Sequence, residues 1–195
     1  MSNINTYTLS KNKIMNIRGL IKEVVSALAI ALMIAVIGHT LTGAWPFMVA
    51  VQSGSMEPHL NIGDVVFLVS PDRTQIITWV EGKMINYKSF GDYGDVIVYY
   101  PNGDRSKTPI IHRVIAWVNE GDRIPILENG RLVYSNVVAK TAGYITQGDN
   151  NPYPDQLAVL PETNEVILPV NKSWIIGVAK FKIPYVGYLR LLIPI

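Results

Sequence analysis

Cysteine is absent from the 195 residues. Disulfides, cysteine nucleophiles and thiolate metal sites are therefore excluded, while the redox compartment stays open. Histidine is scarce. His39, His59 and His112 are the three, and no two stand four apart, so a zinc site of the H-E-x-x-H kind is excluded. An excess of one charge is lacking too: 17 Lys and Arg against 15 Asp and Glu leave +2, too balanced for a nucleic-acid binder. No internal repeat is present. The longest gap in charge is the most informative, since no Asp, Glu, Lys or Arg stands between Glu23 and Glu57.

That gap holds one long apolar segment. Val24 to Ile37 is continuous but for Ser26, and the run softens through Gly38, His39, Thr40 and Thr42 to Trp45. It has the ~20 residues a bilayer-spanning helix needs, with Trp45 suited to the far interface. Lys11, Lys13, Arg18 and Lys22 precede it, which predicts a cytoplasmic N-terminus and an extracytoplasmic remainder. A cleavable signal peptide has an apolar core of only ~7–15 residues. Ala44-Trp45-Pro46 is also a poor cleavage site, so an uncleaved anchor is expected. The expected division is a cytoplasmic segment over 1–23, an anchor over 24–45 and an extracytoplasmic domain over 46–195.

Beyond the anchor the texture is β. Short runs at Phe47–Val51, Val65–Val69, Asp95–Tyr100, Ile110–Trp117, Ile124–Leu127, Leu132–Tyr134 and Gly143–Thr146 are separated by turn residues. Glu128-Asn129-Gly130 reads as a hairpin turn. Strands of this length and punctuation predict a mainly β fold, an antiparallel sheet of sandwich or barrel type. No helical period of useful length follows the anchor. Residues 70–94, with Pro71, Gly82, Gly91 and Gly94, are expected to form a loop or a local insertion. The end of the chain, Leu191–Ile195, is too short to span, and Arg190 precedes it; this tail is expected on the membrane or against the β domain.

The chemistry concentrates at Ser53-Gly54-Ser55-Met56-Glu57-Pro58, directly after the first strand. Gly54 lets a backbone approach closely, and Pro58 keeps Glu57 out of helical space. A turn hydroxyl becomes a nucleophile only beside a base. His112 is the one histidine inside a strand run. A base of this kind needs an acceptor on its second nitrogen, and Asp149 and Asp155 can both supply it from the Asn- and Pro-rich loop at 148–155. His59 follows Pro58 on the serine's own turn, a poorer position for a base than a neighbouring strand.

In order and spacing, Ser53–Pro58, Gly94–Tyr99, Ile111-His112-Arg113-Val114 and Gly148-Asp149-Asn150-Asn151 with Asp155 resemble a type I signal peptidase of the archaeal and endoplasmic-reticulum kind. The resemblance runs from the anchor to about residue 155. It implies Ser55 as nucleophile, Ser53 as an oxyanion-hole hydroxyl, His112 as general base, Asp155 as the essential acidic partner and Asp149 as a second acidic position. The bacterial kind resembles this chain in fold but has lysine where His112 stands, and Arg113 cannot substitute because guanidinium stays protonated.

The implied activity is removal of signal peptides from secreted preproteins, cutting after small residues in the A-x-A sense. An extended substrate would add as a strand beside Val49–Ser53 and Pro109–Ile111, which makes Val49, Val51, Met56, Pro109 and Ile111 candidate substrate contacts. Neutral His112 is required, so activity should fall as the imidazole takes a proton. Expected partners are preprotein signal peptides and the lipid bilayer, with other signal-peptidase or translocon subunits left open; no cofactor or metal is expected. Two alternatives stand beside this reading: a dedicated processing peptidase with few substrates, and a non-catalytic anchored β domain of the export machinery. The second requires Ser55 and His112 to be dispensable. Plasma membrane and endoplasmic reticulum both fit.

Overall fold

The long apolar run from Val24 forms helix as far as Thr42 in the computed structural model, which describes residues 4–161 and 163–188, with side chains from residue 17. Helix α1 runs Ile4–Thr42. Its part Ile17–Thr42 is 26 residues long, apolar enough to cross a membrane, and buries nothing. At 1.5 Å per residue it covers about 39 Å, more than the ~30 Å of bilayer hydrocarbon. Leu28, Leu32 and Leu41 all expose most of their surface. A core helix of a soluble domain would be covered. The chain separates into two compact units, Met1–Leu41 and Thr42–Ile195.

The second unit is antiparallel β. Its strands are β1 Met48–Ala50, β2 Val65–Val69, β3 Lys88–Ser89, β4 Asp92–Tyr93, β5 Val96–Tyr99, β6 Ile110–Val118, β7 Arg123–Glu128, β8 Arg131–Val138, β9 Gly143–Gln147 and β10 Ile175–Ile183. Six of them make one sheet in the order β1-β2-β10-β5-β6-β9, and β3-β4 and β7-β8 are separate hairpins. The expected mainly β, antiparallel class is what forms. Asn129 and Gly130 both take positive φ in the expected β7–β8 turn, the backbone a two-residue hairpin needs. Register shifts in β6 and twice in β10 add the local twist that curls the sheet.

The core lies on both faces of the middle strands. Every residue of β5 is buried, as a central strand packed on two sides requires. One apolar cluster joins Val51, Met56, Leu60, Val66, Leu68, Val96, Val98 and Ala179; a second joins Ile97, Tyr99, Val114, Val170 and Val178.

Two segments hold elements beyond the expected strand runs. Residues 70–94 are not simply a loop: helix α2 spans Trp79–Ile85, followed by the β3–β4 hairpin. Its start is a capping box in which Thr78 Oγ1 accepts from Glu81 N–H at 3.2 Å and Glu81 Oε2 accepts from Thr78 N–H at 2.8 Å. The second is β10, which lies between β2 and β5 in the sheet. Its Lys180 and Lys182 break the apolar run, but each ammonium turns onto a buried carboxylate, Asp95 at 2.8 Å and Asp64 at 2.7 Å. The terminal Leu191–Ile195 segment lies outside the described residues.

Candidate active site

The serine sits on a tight turn. Gly54–Met56 form one 3-10 turn, with Ser53 extended before it and Glu57 extended after it. Met56 O then accepts from both His59 N and Leu60 N, at 3.0 and 2.9 Å. The turn buries Met56 completely and leaves Ser55 half-buried at the surface. Packing of Met56 against Leu60, Val96 and Ala179 in the core fixes how far Ser55 projects.

His112 reaches Ser55 from β6. Its Nε2 lies 3.0 Å from Ser55 Oγ, and its Nδ1 lies 2.8 Å from both oxygens of Asp155. A carboxylate only accepts, so Nδ1 carries the hydrogen and Nε2 faces the serine as an acceptor. Asp155 opens a short 3-10 turn, Asp155–Leu157, and is buried.

The strand registers explain why Asp155 is held so firmly. Ile97 pairs with His112, and Val114 pairs with Thr146. Residues two apart share a face, so Tyr99, His112 and Thr146 lie on one side of three adjacent strands. Tyr99 OH donates to Asp155 Oδ2 at 2.7 Å and Thr146 Oγ1 donates to it at 2.6 Å. Burial pushes the Tyr99 phenol well above its ordinary value, and the Asp155 charge adds to this, so the hydroxyl stays a donor. Tyr99 closes the Gly94–Tyr99 run but was given no role there, and Thr146 lies in no motif. For Thr146 the sequence signal is only its place on a strand run near that of His112.

Asp149 faces elsewhere. Its two oxygens accept a forked pair from Arg113 Nε and a terminal guanidinium nitrogen at 2.8 and 2.7 Å, and His59 Nδ1 lies 2.8 Å from Oδ2. Arg113 is completely buried; its other terminal nitrogen donates to Ser89 O at 2.8 Å and Gly94 O at 2.9 Å. Asp149 therefore has no bond to His112. Its loop instead grips the serine turn, because Asn150 N–H donates to Ser55 O at 2.9 Å and Asn150 Nδ2 to Gly54 O at 3.2 Å. Gly148 permits this approach, since a Cβ there would lie 2.6 Å from Ser55 O.

Ser53 Oγ stands 3.2 Å from Ser55 Oγ. Both open onto a cleft of about 990 Å3 with His112 at the same end and Val49, Pro109 and Ile111 along its walls. Val51 and Met56 do not line it: both are buried in the core. β1 ends at Ala50, so the alternation that turns Val49 to the cleft does not extend to Val51, whose N–H bonds Asp64 O instead. Phe67, Ile183 and Val186 extend the apolar lining beyond the expected set. Among the described residues no group of three His, Cys, Asp or Glu side chains is arranged to hold a metal ion.

Comparison with known proteins gives the family. The family model described as signal peptidase, peptidase S26, matches residues 21–180. The signal peptidase complex catalytic subunit of Eremothecium gossypii is 32% identical over 146 residues, 75% of this chain and 65% of that protein. The protein of that name in Yarrowia lipolytica is 31% identical over 146 residues, 75% of this chain and 62% of its own length, and that of Candida albicans is 27% identical over 75% of this chain and 64% of its own. The chain thus spans somewhat under two thirds of the length of these relatives. The family match takes in the serine turn, the histidine strand and the aspartate loop together, and the chain belongs to the signal peptidase family, peptidase S26.

Proposed function

We propose that this chain is a membrane-anchored serine endopeptidase that removes N-terminal signal peptides from secreted preproteins, cutting after small residues. The observation that carries the reading is the line Ser55 Oγ, His112, Asp155, with 3.0 Å at one end of the imidazole and 2.8 Å at the other.

The mechanism follows from that line. His112 Nε2 takes the proton of Ser55 as Oγ attacks the scissile carbonyl. Asp155 keeps the ring in the required tautomer and stabilises the imidazolium as it forms. The Ser53 hydroxyl and the Ser55 N–H serve as donors to the oxyanion, a type of contact worth ~10²–10³ in rate. His112 then returns the proton to the leaving amine as the C–N bond breaks. The mature protein departs and the signal peptide remains as an ester on Ser55. Water, deprotonated by His112, attacks that ester, and the proton passes back to Ser55.

The substrate lies extended along the cleft between β1 and Pro109–Ile111. The division remains a cytoplasmic segment over 1–23, an anchor over 24–45 and an extracytoplasmic catalytic domain over 46–195, with basic residues such as Arg18 and Lys22 on the cytoplasmic flank. Exposed Phe181, Ile183, Tyr185 and Val186 support a membrane-proximal C-terminal end. The relatives are named as subunits of a complex, which supports further subunits as partners.

Cleavage of a model preprotein by the full chain in detergent tests the reading. Wild type is expected to cut at an A-x-A site, and Ser55→Ala and His112→Ala to lose about a thousandfold or more. Cleavage by Ser55→Ala, with contaminating protease excluded, would remove the assignment.

A further inference from the structure

His59 is the second histidine that touches a carboxylate, and the chemistry above does not use it. It ends the turn that begins at Ser55. Its Nδ1 lies 2.8 Å from Asp149 Oδ2, and its carbonyl accepts from Lys182 Nζ at 2.8 Å. The ring packs against Gly91, where a Cβ would come within 2.5 Å of it. It is thus fixed from three sides: by the aspartate loop, by β10 and by the loop before β4.

We infer that His59 is a positioning residue, a tether that holds the serine turn in register with the strand bearing the base. The inference rests on the proposed serine–histidine chemistry. The path is continuous. Ser55 and His59 belong to one turn; His59 bonds Asp149; Asp149 bonds Arg113 through two parallel contacts; Arg113 is the neighbour of His112 on β6. Asn150 closes the same loop by donating to the Ser55 and Gly54 carbonyls. Without the His59 bond, the turn hangs from this loop through Asn150 alone.

The bond needs no charge on the ring. Arg113 already neutralises Asp149, and a carboxylate accepts only, so a neutral His59 with its hydrogen on Nδ1 makes the contact. What matters is a donor at that position. A small displacement of a nucleophile from its base costs rate and leaves ground-state binding untouched.

The test compares steady-state cleavage of a model preprotein by full-length wild type, Ser55→Ala, His59→Ala, His59→Asn and His59→Gln. His59→Ala is expected to lower kcat about tenfold with KM within about twofold of wild type. Asn carries its amide nitrogen where Nδ1 stood and restores kcat to within about threefold; Gln, one atom longer, does not. Wild-type kcat in His59→Ala, a loss confined to KM, or Asn no better than Ala would overturn the inference. If His59→Ala does not fold, Asn above Gln supports it and parity overturns it. Failure of the underlying reading looks different: wild type would not cleave, or Ser55→Ala still would, and the tether falls with it.

Discussion

Two histidine–carboxylate pairs lie within one site, and their contact distances are the same. His112 Nδ1 stands 2.8 Å from Asp155, and His59 Nδ1 stands 2.8 Å from Asp149. What differs is the surroundings. Asp155 receives its other hydrogen bonds from two neutral hydroxyls, Tyr99 and Thr146, so its negative charge remains available to an imidazolium. Asp149 is matched by the guanidinium of Arg113, so a charge appearing on His59 would gain less. The far nitrogen differs too: that of His112 meets the Ser55 hydroxyl, whereas the ring of His59 covers Gly91. A histidine beside an aspartate is therefore not enough to define a base. The carboxylate's remaining partners and the second nitrogen decide.

The largest expected effect that would break this comparison is the contrast between the two aspartates. Asp155→Asn turns an acceptor into a donor or a weaker acceptor, releasing the wrong tautomer of His112. Cleavage is expected to drop about a thousandfold or more, entirely in kcat. Asp149→Asn is expected to lower kcat only about tenfold, by loosening the serine turn. It should also cost about 3 kcal/mol of stability, because Arg113 is left buried without a counter-charge. Equal losses from both substitutions, measured as kcat beside thermal melting, would mean that the two pairs are not functionally distinct.

Tyr99→Phe sharpens the same contrast with a smaller change. It removes one of the two hydroxyls on Asp155 and preserves the ring in the core. A kcat reduction of about five- to tenfold with KM unchanged is expected. Wild-type kcat in this variant would show that Thr146 alone keeps Asp155 in place.

Much of the site was legible because its chemistry sits in short linear pieces. The Ser53–Pro58 turn, the strand around His112 and the loop around Asp155 each carry their residue types within a few positions. Spacing alone did not make the choice between Asp149 and Asp155 legible, since both lie in one loop; the resemblance pointed to Asp155, and the hydroxyls of Tyr99 and Thr146 that hold it come from two other strands. Thr78 and Glu81 did spell a capping box, but the Pro and Gly residues around them pointed to a loop, and α2 was missed. Strand β10 was hidden by Lys180 and Lys182, whose charges look external in sequence and are satisfied by Asp95 and Asp64 in the fold. Val51 was expected to face substrate because the alternation of a strand was carried past the end of β1, and Met56, expected there beside the nucleophile, turns into the core from the 3-10 turn.

A third carboxylate supplies the control, an ion pair that supports the serine turn from outside the chemistry. Asp64 is buried and accepts from Lys182 Nζ at 2.7 Å and from Asn61 N–H at 3.0 Å. Burial works to raise its pKa, but the Lys182 contact, the Asn61 N–H, the lysine charge and the Tyr185 N–H together hold it below the ordinary value. A carboxylate depressed on folding contributes stability that is complete above its unfolded pKa, about 3.9, and disappears as pH falls through the lower folded value. Asp64→Asn should therefore melt below wild type at neutral pH, and the gap should close on acidification below about pH 4. Its neutral-pH kcat should stay within about twofold of wild type, since Lys182 still reaches the His59 carbonyl. Melting curves of the two proteins that run parallel down to acid pH would show that the Asp64–Lys182 pair does not titrate as the fold implies. A kcat loss as large as that of Asp149→Asn would show that the serine turn is positioned from β10 as much as from the aspartate loop.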